Sequence, residues 1–300
     1  MATSLQGLTW HVEYDVAQPP PRPSPKHLRF VFVSDTHSTQ PDVPEGDALF
    51  HSGDLTDLGS TPSFQHQLAW LASLPHAHKF IIAGNHDFGA CTRDDWYGRV
   101  GRKIHEKYAV PAADTAAVRG ALAAFEATPD KQHRYLEDQV AEFELGGRRW
   151  SVYGSPWSPV FGGWAWNYER GQEAEEVYKD VPPKVDILLT HSPPHTFGNL
   201  DVLTDGKTHV GCEVLRDKMA NGDLRPLIHS FGHIHEAWGT HAEKWEASTD
   251  ETLLINAAVV EFDMGAFVQE KRLHYKLVHP PVIVDVDPSQ IHRKANAEAR

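Results

Sequence analysis

Cysteine is scarce in this sequence: two residues in 300, Cys91 and Cys212. Two thiols cannot build a disulfide framework. A single bridge is open to them, but two separate buried thiols in a reducing compartment are the expected state. Long apolar runs are missing as well. No stretch approaches the roughly 18 uncharged apolar residues of a membrane span, and the nearest, Leu253 to Val260, is interrupted by Asn256. Met1 to Tyr14 has no basic start followed by an apolar segment, so no secretory signal is expected. Cations are in deficit: 28 Lys and Arg stand against 41 Asp and Glu, a formal charge of −13. Without a cationic surplus to displace counterions, neither nucleic acid nor an anionic membrane is an expected partner. Walker-type, GxSxG and HExxH motifs are absent, which leaves NTPase, serine-hydrolase and zincin chemistry without support. The expectation is a soluble cytoplasmic protein.

What the chain does have is aromatic bulk and histidine. Thirteen Phe, eight Tyr and nine Trp suffice for a core, and 20 His exceed ordinary usage. Neutral imidazole is a common metal ligand. Residues 19–25, Pro-Pro-Pro-Arg-Pro-Ser-Pro, disfavour both helix and central strand. This stretch reads as an arm joining an N-terminal strand to the body, with a ligand for a proline-recognition module as the alternative.

From Leu28 a grammar repeats. Leu28–Ser34 reads as a buried strand that stops at Asp35-Thr36-His37, and Ala48–Ser52 as a second that stops at Gly53-Asp54. Pro62 suits a first helical turn, with Phe64, Leu68 and Leu71 marking the buried side of a helix through Ser73. Lys79–Ala83 is a third strand, ending in Gly84-Asn85-His86-Asp87. Residues 92–125 read as mostly helical. Val140–Leu145 and Trp150–Tyr153 form a hairpin about Gly146-Gly147. A second α/β stretch follows: helix 169–179, strand Val185–Thr190 ending in His191, helix 209–220, and strand Pro226–Phe231 ending in Gly232-His233-Ile234-His235. Further strands are expected at 252–256, 274–278 and 282–286. The polar strand ends come from both halves, so the expected fold is α/β, with two stacked sheets and helices outside.

Together these ends offer two carboxylates (Asp35, Asp54), one carboxamide (Asn85) and the imidazoles of His37, His191, His233 and His235, with His86 left over. This inventory suits two divalent metals held by nitrogen and oxygen rather than a cysteine-based structural zinc. In Asp35-Thr-His37 and His233-Ile-His235 the i, i+2 spacing points both side chains the same way. The mixed set favours Mn, Fe or Zn over Mg or Ca.

In that order, Asp-x-His, Gly-Asp, Gly-Asn-His-Asp, a later strand-end His and Gly-His-x-His resemble the calcineurin-like metallophosphoesterases. Tyr153–Asn167, His191-Ser-Pro-Pro194, Gly211-Cys212 and Gly232–Trp238 are similar to the metallophosphoesterase-domain-containing (MPPED-like, 239AB-like) branch. The resemblance implies a four-layer sandwich of two mixed sheets over residues 28–286. Residues 1–27 are then an N-terminal strand and Pro-rich arm, and 287–300 a C-terminal tail. It implies one metal on Asp35, His37, Asp54 and His235, and another on Asp54, Asn85, His191 and His233, bridged by Asp54. It further implies in-line attack by a metal-bridging hydroxide on a small phosphodiester, with cyclic nucleotides among the branch's substrates. His86 then stabilises the transition state and protonates the leaving oxygen. Asp57 and Asp87 are candidates for orienting His86 or a ligand histidine.

Trp157, Phe161, Trp164 and Trp166 fit no helical or strand period, because Gly and Pro run among them. They are either loop anchors or a wall that stacks a base or another flat leaving group. Arg170 is a candidate for a second phosphate or a surface cation. The alternatives to a phosphodiesterase are a phosphomonoesterase or nucleotidase on the same centre, and a nucleotide-binding module with little turnover.

Overall fold

The computed structural model describes residues 3–5, 7–245, 250–270 and 272–291. Seven strands form the first sheet, in the order Thr3–Leu5, Leu8–His11, Val282–Val286, Leu28–Val33, Ala48–His51, His78–Ile81 and Gln132–Tyr135. The last four are mutually parallel, and Val282–Val286 runs antiparallel to both its neighbours. Six strands form the second, in the order Gly239–Lys244, Glu251–Asn256, Ile228–Phe231, Ile187–Thr190, Arg148–Ser155 and Gln139–Leu145. Its four inner strands are parallel and its two edges antiparallel. Both sheets are therefore mixed.

The stacking follows from the sequence of Leu28–Val33. Every residue is buried, because a parallel strand covered on both faces alternates between two cores instead of between core and water. Phe30 and Phe32 point inward and join Phe50, Phe80, Trp150, Ile187, Ile228, Leu253 and Val284 between the sheets. Val31 and Val33 point outward, into the core that holds Phe64, Leu68 and Leu71 of helix Thr61–Ser73 and Val118, Leu122 and Phe125 of helix Thr115–Glu126. On the second sheet Leu188 and Leu254 are the outward residues, and helix Glu213–Asn221 adds Leu215 and Met219. Helix, sheet, sheet, helix is the expected sandwich. The buried Arg29 guanidinium grips Asp285 with two bonds of 2.8 and 2.7 Å, locking Leu28–Val33 to Val282–Val286.

Several boundaries differ from expectation. The 92–125 stretch is not one helical block: short turns at Arg93–Asp95 and Tyr97–Gly101 lead into Arg102–Lys107, and a new helix starts at Thr115, capped by Asp114. Left-handed residues at Asp94, Asp95 and Ala109 break the run. Helix 169–179 shortens to Gln172–Val177. Helix 209–220 starts only at Glu213, after His209 has bridged to Val202. The 146–147 hairpin is as expected, with both glycines at positive φ (62° and 73°), the conformation a two-residue turn requires. A short antiparallel pair, Val260–Phe262 with Tyr275–Leu277, encloses helix Met264–Glu270, which the periodicity did not indicate. The tail placed at 287–300 begins with the turn Pro288–Gln290, and from residue 292 it lies outside the described residues. Both cysteines are free and buried, and no helix among the described residues is long and apolar enough to cross a membrane.

Candidate metal centre

The parallel strands of both sheets deliver their carboxyl ends to one edge, where the loops interlock. The Asp35 N–H donates to Gly53 O, the His37 N–H to Asp54 O and the Ser34 N–H to Ala257 O. The hydroxyls of Ser52 and Ser230 meet at 2.8 Å and tie the two sheets together beneath. Asp35, His37, Asp54 and His233 all sit at positive φ (55°, 41°, 53° and 68°). Such backbone costs of order 1–3 kcal/mol per residue and gathers where a site demands it.

Asp35 is fully buried and both its oxygens accept the His233 N–H at 3.1 Å. Its Oδ1 is 3.1 Å from His235 Nε2, which faces His37 Nε2 at 3.2 Å. Asp54 lies between two histidines: its Oδ2 is 3.6 Å from His37 Nε2 and 3.4 Å from His191 Nε2. Its Oδ1 accepts the His86 N–H at 2.8 Å. Asn85 Oδ1 is 2.9 Å from His191 Nε2, and the His191 and His233 rings are 4.9 Å apart. Asp35, His37 and His235 form one set of donor atoms within 4.8 Å of one another. Asp54, His191 and His233 form a second, and His37, Asp54 and His86 a third between them. Metal–ligand bonds of about 2.0–2.2 Å place ligand atoms at such separations.

The donors fit a cation for a further reason. His191 Nδ1 is 3.0 Å from the Ser52 carbonyl, which only accepts, so Nδ1 carries the proton. His191 Nε2 then turns a lone pair toward Asn85 Oδ1 and Asp54 Oδ2, and acceptor meets acceptor unless a proton or a metal lies between. Burial alone would lower His191, but the Asp54 carboxylate outweighs it and pushes the imidazole up to about 9. Burial would likewise raise Asp35 and Asp54. The hydrogen bond and charge of His235 hold Asp35 below the carboxylate range, and His191 with His86 holds Asp54 well below it. His233, part-buried, is pushed down to about 3 mainly by desolvation and is neutral at pH 7.

Glycine makes the close approach possible. A Cβ on Gly232 would lie 1.8 Å from Asp35 Oδ2, and one on Gly84 would lie 2.3 Å from Asp54 Oδ1. The glycines of the two motifs are thus the space into which the carboxylates fold.

The structure separates the remaining candidates. His86 faces the centre, its Nδ1–H donating to the Asp57 main-chain oxygen at 2.6 Å. Asp57 therefore orients His86 through its backbone, while its carboxylate Oδ1 is buried without a partner, and burial with the nearby Asp54 charge pushes it up to about 7. The Asp87 carboxylate does not reach His86. It accepts the N–H groups of Leu55, Thr56 and Gly84 at 2.9–3.1 Å and the Thr56 hydroxyl at 2.7 Å, stapling two motif loops together. Of the four aromatics only Trp164 reaches the centre, 4.2 Å from the His86 ring. Trp157 and Trp166 are buried against each other at 5.3 Å, and Phe161 is 74% exposed. Arg170 clamps the carbonyls of Val210 and Gly211 and pairs with Glu213, away from the centre. One residue escaped the sequence reading: Tyr275 lies flat on His37, centroids 3.7 Å apart and planes within 8°. Its strand was legible, but nothing in the pattern marks one tyrosine of an edge strand as facing a site.

Comparison with known proteins agrees with this geometry. The calcineurin-like phosphoesterase family matches residues 28–237. The human and mouse metallophosphoesterase domain-containing protein 1 are each 34% identical over 291 residues, covering 92% of this chain and 76% of theirs. A UPF0046 protein of Caenorhabditis elegans is 35% identical over 85% of this chain and 64% of its own. A probable rhamnogalacturonate lyase C of Emericella nidulans shares 35% identity over 73% of this chain, which is only 18% of that protein. The chain belongs to the calcineurin-like metallophosphoesterases, in the branch of metallophosphoesterase domain-containing protein 1, and is a phosphoric ester hydrolase whose histidine–carboxylate clusters suit a dinuclear divalent-metal centre.

Proposed function

We propose that this enzyme is a phosphodiesterase acting on a small phosphodiester, a cyclic nucleotide among the candidates, with two transition-metal ions (Mn, Fe or Zn). Asp35, His37, Asp54 and His235 hold one ion, and Asp54, Asn85, His191 and His233 the other. The observation that carries this reading is Asp54, whose one oxygen lies within 3.6 Å of a histidine from each set. When bound, the two ions supply a water acidified to hydroxide near neutral pH and positive charge for the phosphoryl oxygens.

The protein's own residues do the rest. The Asp57 carbonyl fixes the His86 tautomer, leaving Nε2 to take a proton from solvent water and donate it to the departing oxygen as its bond to phosphorus breaks. Burial keeps His86 below its ordinary value despite Asp54, so it is neutral at rest. Trp164 beside His86 offers a flat face for the leaving group. A cavity of about 330 Å³ bounded by Asp57, Tyr108, Pro111 and Arg272 has nucleoside-scale room, and Asp57, whose carbonyl holds His86, is its link to the centre. The charges acting most strongly on Asp35, Asp54 and His86 are histidines and carboxylates, and the Arg272 cation of the cavity is not among them. That environment favours a singly charged diester over a doubly charged monoester. The test is a panel of cyclic nucleotides, linear diesters and monoesters with metal-reconstituted protein. Diesters should turn over at least about tenfold faster in kcat/KM; monoesters leading by that margin would reverse the assignment.

A further inference from the structure

We infer that Tyr275 is a positioning residue that fixes the ring plane of His37 where the usual hydrogen bond is missing. The inference rests on the dinuclear reading above. A metal-binding imidazole is ordinarily oriented by a hydrogen bond from its second nitrogen. Of the ligand histidines His191 has one, to Ser52 O at 3.0 Å, and the neighbouring His86, not a ligand in this assignment, is held the same way by Asp57 O at 2.6 Å. His37 does not. Its Nε2 points at His235 and Asp54, and its Nδ1 is buried with no hydrogen-bond partner.

Rings hold His37 instead. His86 meets it edge-on at 4.5 Å and 86°, His235 at 5.0 Å and 68°. Both are residues of the centre and have work of their own. Tyr275 lies flat on it at 3.7 Å and 8°, and a flat contact of that kind resists rotation of the imidazole about its Cβ–Cγ bond. Tyr275 is itself braced. It stands opposite Phe262 in the Val260–Phe262 hairpin, ring centroids 5.6 Å apart. That hairpin is closed by the Asp263 N–H to His274 O bond at 2.8 Å and by the Lys276–Asp263 ion pair at 2.6 Å. Binding a cation draws electron density from the imidazole, so an electron-rich phenol stacks on the loaded ring better than an aliphatic chain would.

Apo-protein titrated with Co²⁺ alone, followed by calorimetry and by the visible absorption of bound cobalt, tests this without any turnover. Wild type should take up two ions. Tyr275→Phe keeps the flat face and should hold both within about threefold. Tyr275→Leu leaves a smaller apolar side chain without the flat face and should weaken one of the two sites by about 10–100-fold, the range for an outer partner of a metal ligand, leaving the other unchanged. Phe262→Leu removes one brace while Tyr275 keeps its flat face, and should weaken the same site clearly less than Tyr275→Leu does. If Tyr275→Leu binds both ions as tightly as Tyr275→Phe, or Phe262→Leu weakens binding equally, stacking is not what positions His37. A wild type that takes up fewer than two ions overturns the dinuclear reading itself, and this inference with it.

Discussion

Replacing Gly232 with alanine puts one methyl group where there is no room for it. The new Cβ would lie 1.8 Å from Asp35 Oδ2, 2.3 Å from Ser34 Oγ and 2.8 Å from Ser34 Cβ. Contacts below 3.0 Å are essentially never seen for a Cβ, so Asp35 must retreat by more than an ångström. Ser34 cannot yield with it, because its N–H is bonded to Ala257 O and it is itself fully buried, directly after strand Leu28–Val33. Forcing a methyl into such packing costs about 1–3 kcal/mol. For a chain of this size that is a fall in Tm of roughly 2–5 °C. The functional loss should be larger than the loss of stability. Asp35 is the only carboxylate of the Asp35, His37, His235 set, and its displacement removes the charge that holds His235 in place. Metal analysis of protein purified without chelator should show one ion where wild type holds two, with activity down at least about 10²-fold. Two tightly bound ions and near-normal turnover in Gly232→Ala would refute the claim that the motif glycine is there to admit the carboxylate.

The contrasting substitution is Gly120→Ala, inside helix Thr115–Glu126 with nothing within 4 Å of the new methyl. It should raise stability by about 0.5–1 kcal/mol in urea unfolding and leave metal content alone. His86→Ala should retain both ions while turnover falls by about 10²–10⁴. Its defect should be smaller for a nitrophenolate leaving group than for an alkoxide; an equal defect assigns His86 to charge stabilisation, and loss of a metal assigns it to the ligands. Acid should destabilise the fold through His229, which is wholly buried and held down to about 3. The unfolded chain binds that proton near 6.5, so stability is full above about pH 6.5 and declines toward pH 3. The decline is up to about 1.4 kcal/mol per pH unit from this residue. Urea midpoints in His229→Gln should show a shallower pH dependence than wild type, and identical slopes would remove His229 from the account.

The strand-end motifs were legible because two signals coincide at them: a continuous apolar run, which only a doubly covered strand requires, and an abrupt polar stop. Leu28–Val33 with Asp35 and Ile228–Phe231 with His233 carry both signals. The edges carry neither. Gly239–Lys244 is partly exposed along its length and has no apolar run to mark it, and Tyr275 lies on a three-residue strand whose neighbours face solvent. The 92–125 region misled because its composition suits helix while left-handed Asp94, Asp95 and Ala109, which composition does not reveal, break it up. Asp57 and Asp87 were recognisable as residues near the centre but not by what each does. One acts through its main-chain oxygen and the other through backbone N–H groups, and neither contact leaves a trace in residue type. Arg170 is a similar case, since its carbonyl partners are 40 and 41 residues away along the chain.

The central claim is a pair of metal sites joined by one carboxylate, and the most direct measurement is ion stoichiometry in wild type against Asp54→Asn. Elemental analysis, together with cobalt titration of the apo-protein, should give two transition ions per wild-type chain. Asn keeps the size of the side chain but removes the anion shared between His37 and His191, so the variant should bind one ion at most tightly and show no measurable hydrolysis. A wild-type chain that saturates at one ion, or an Asp54→Asn chain that holds two as firmly as wild type, would contradict the account.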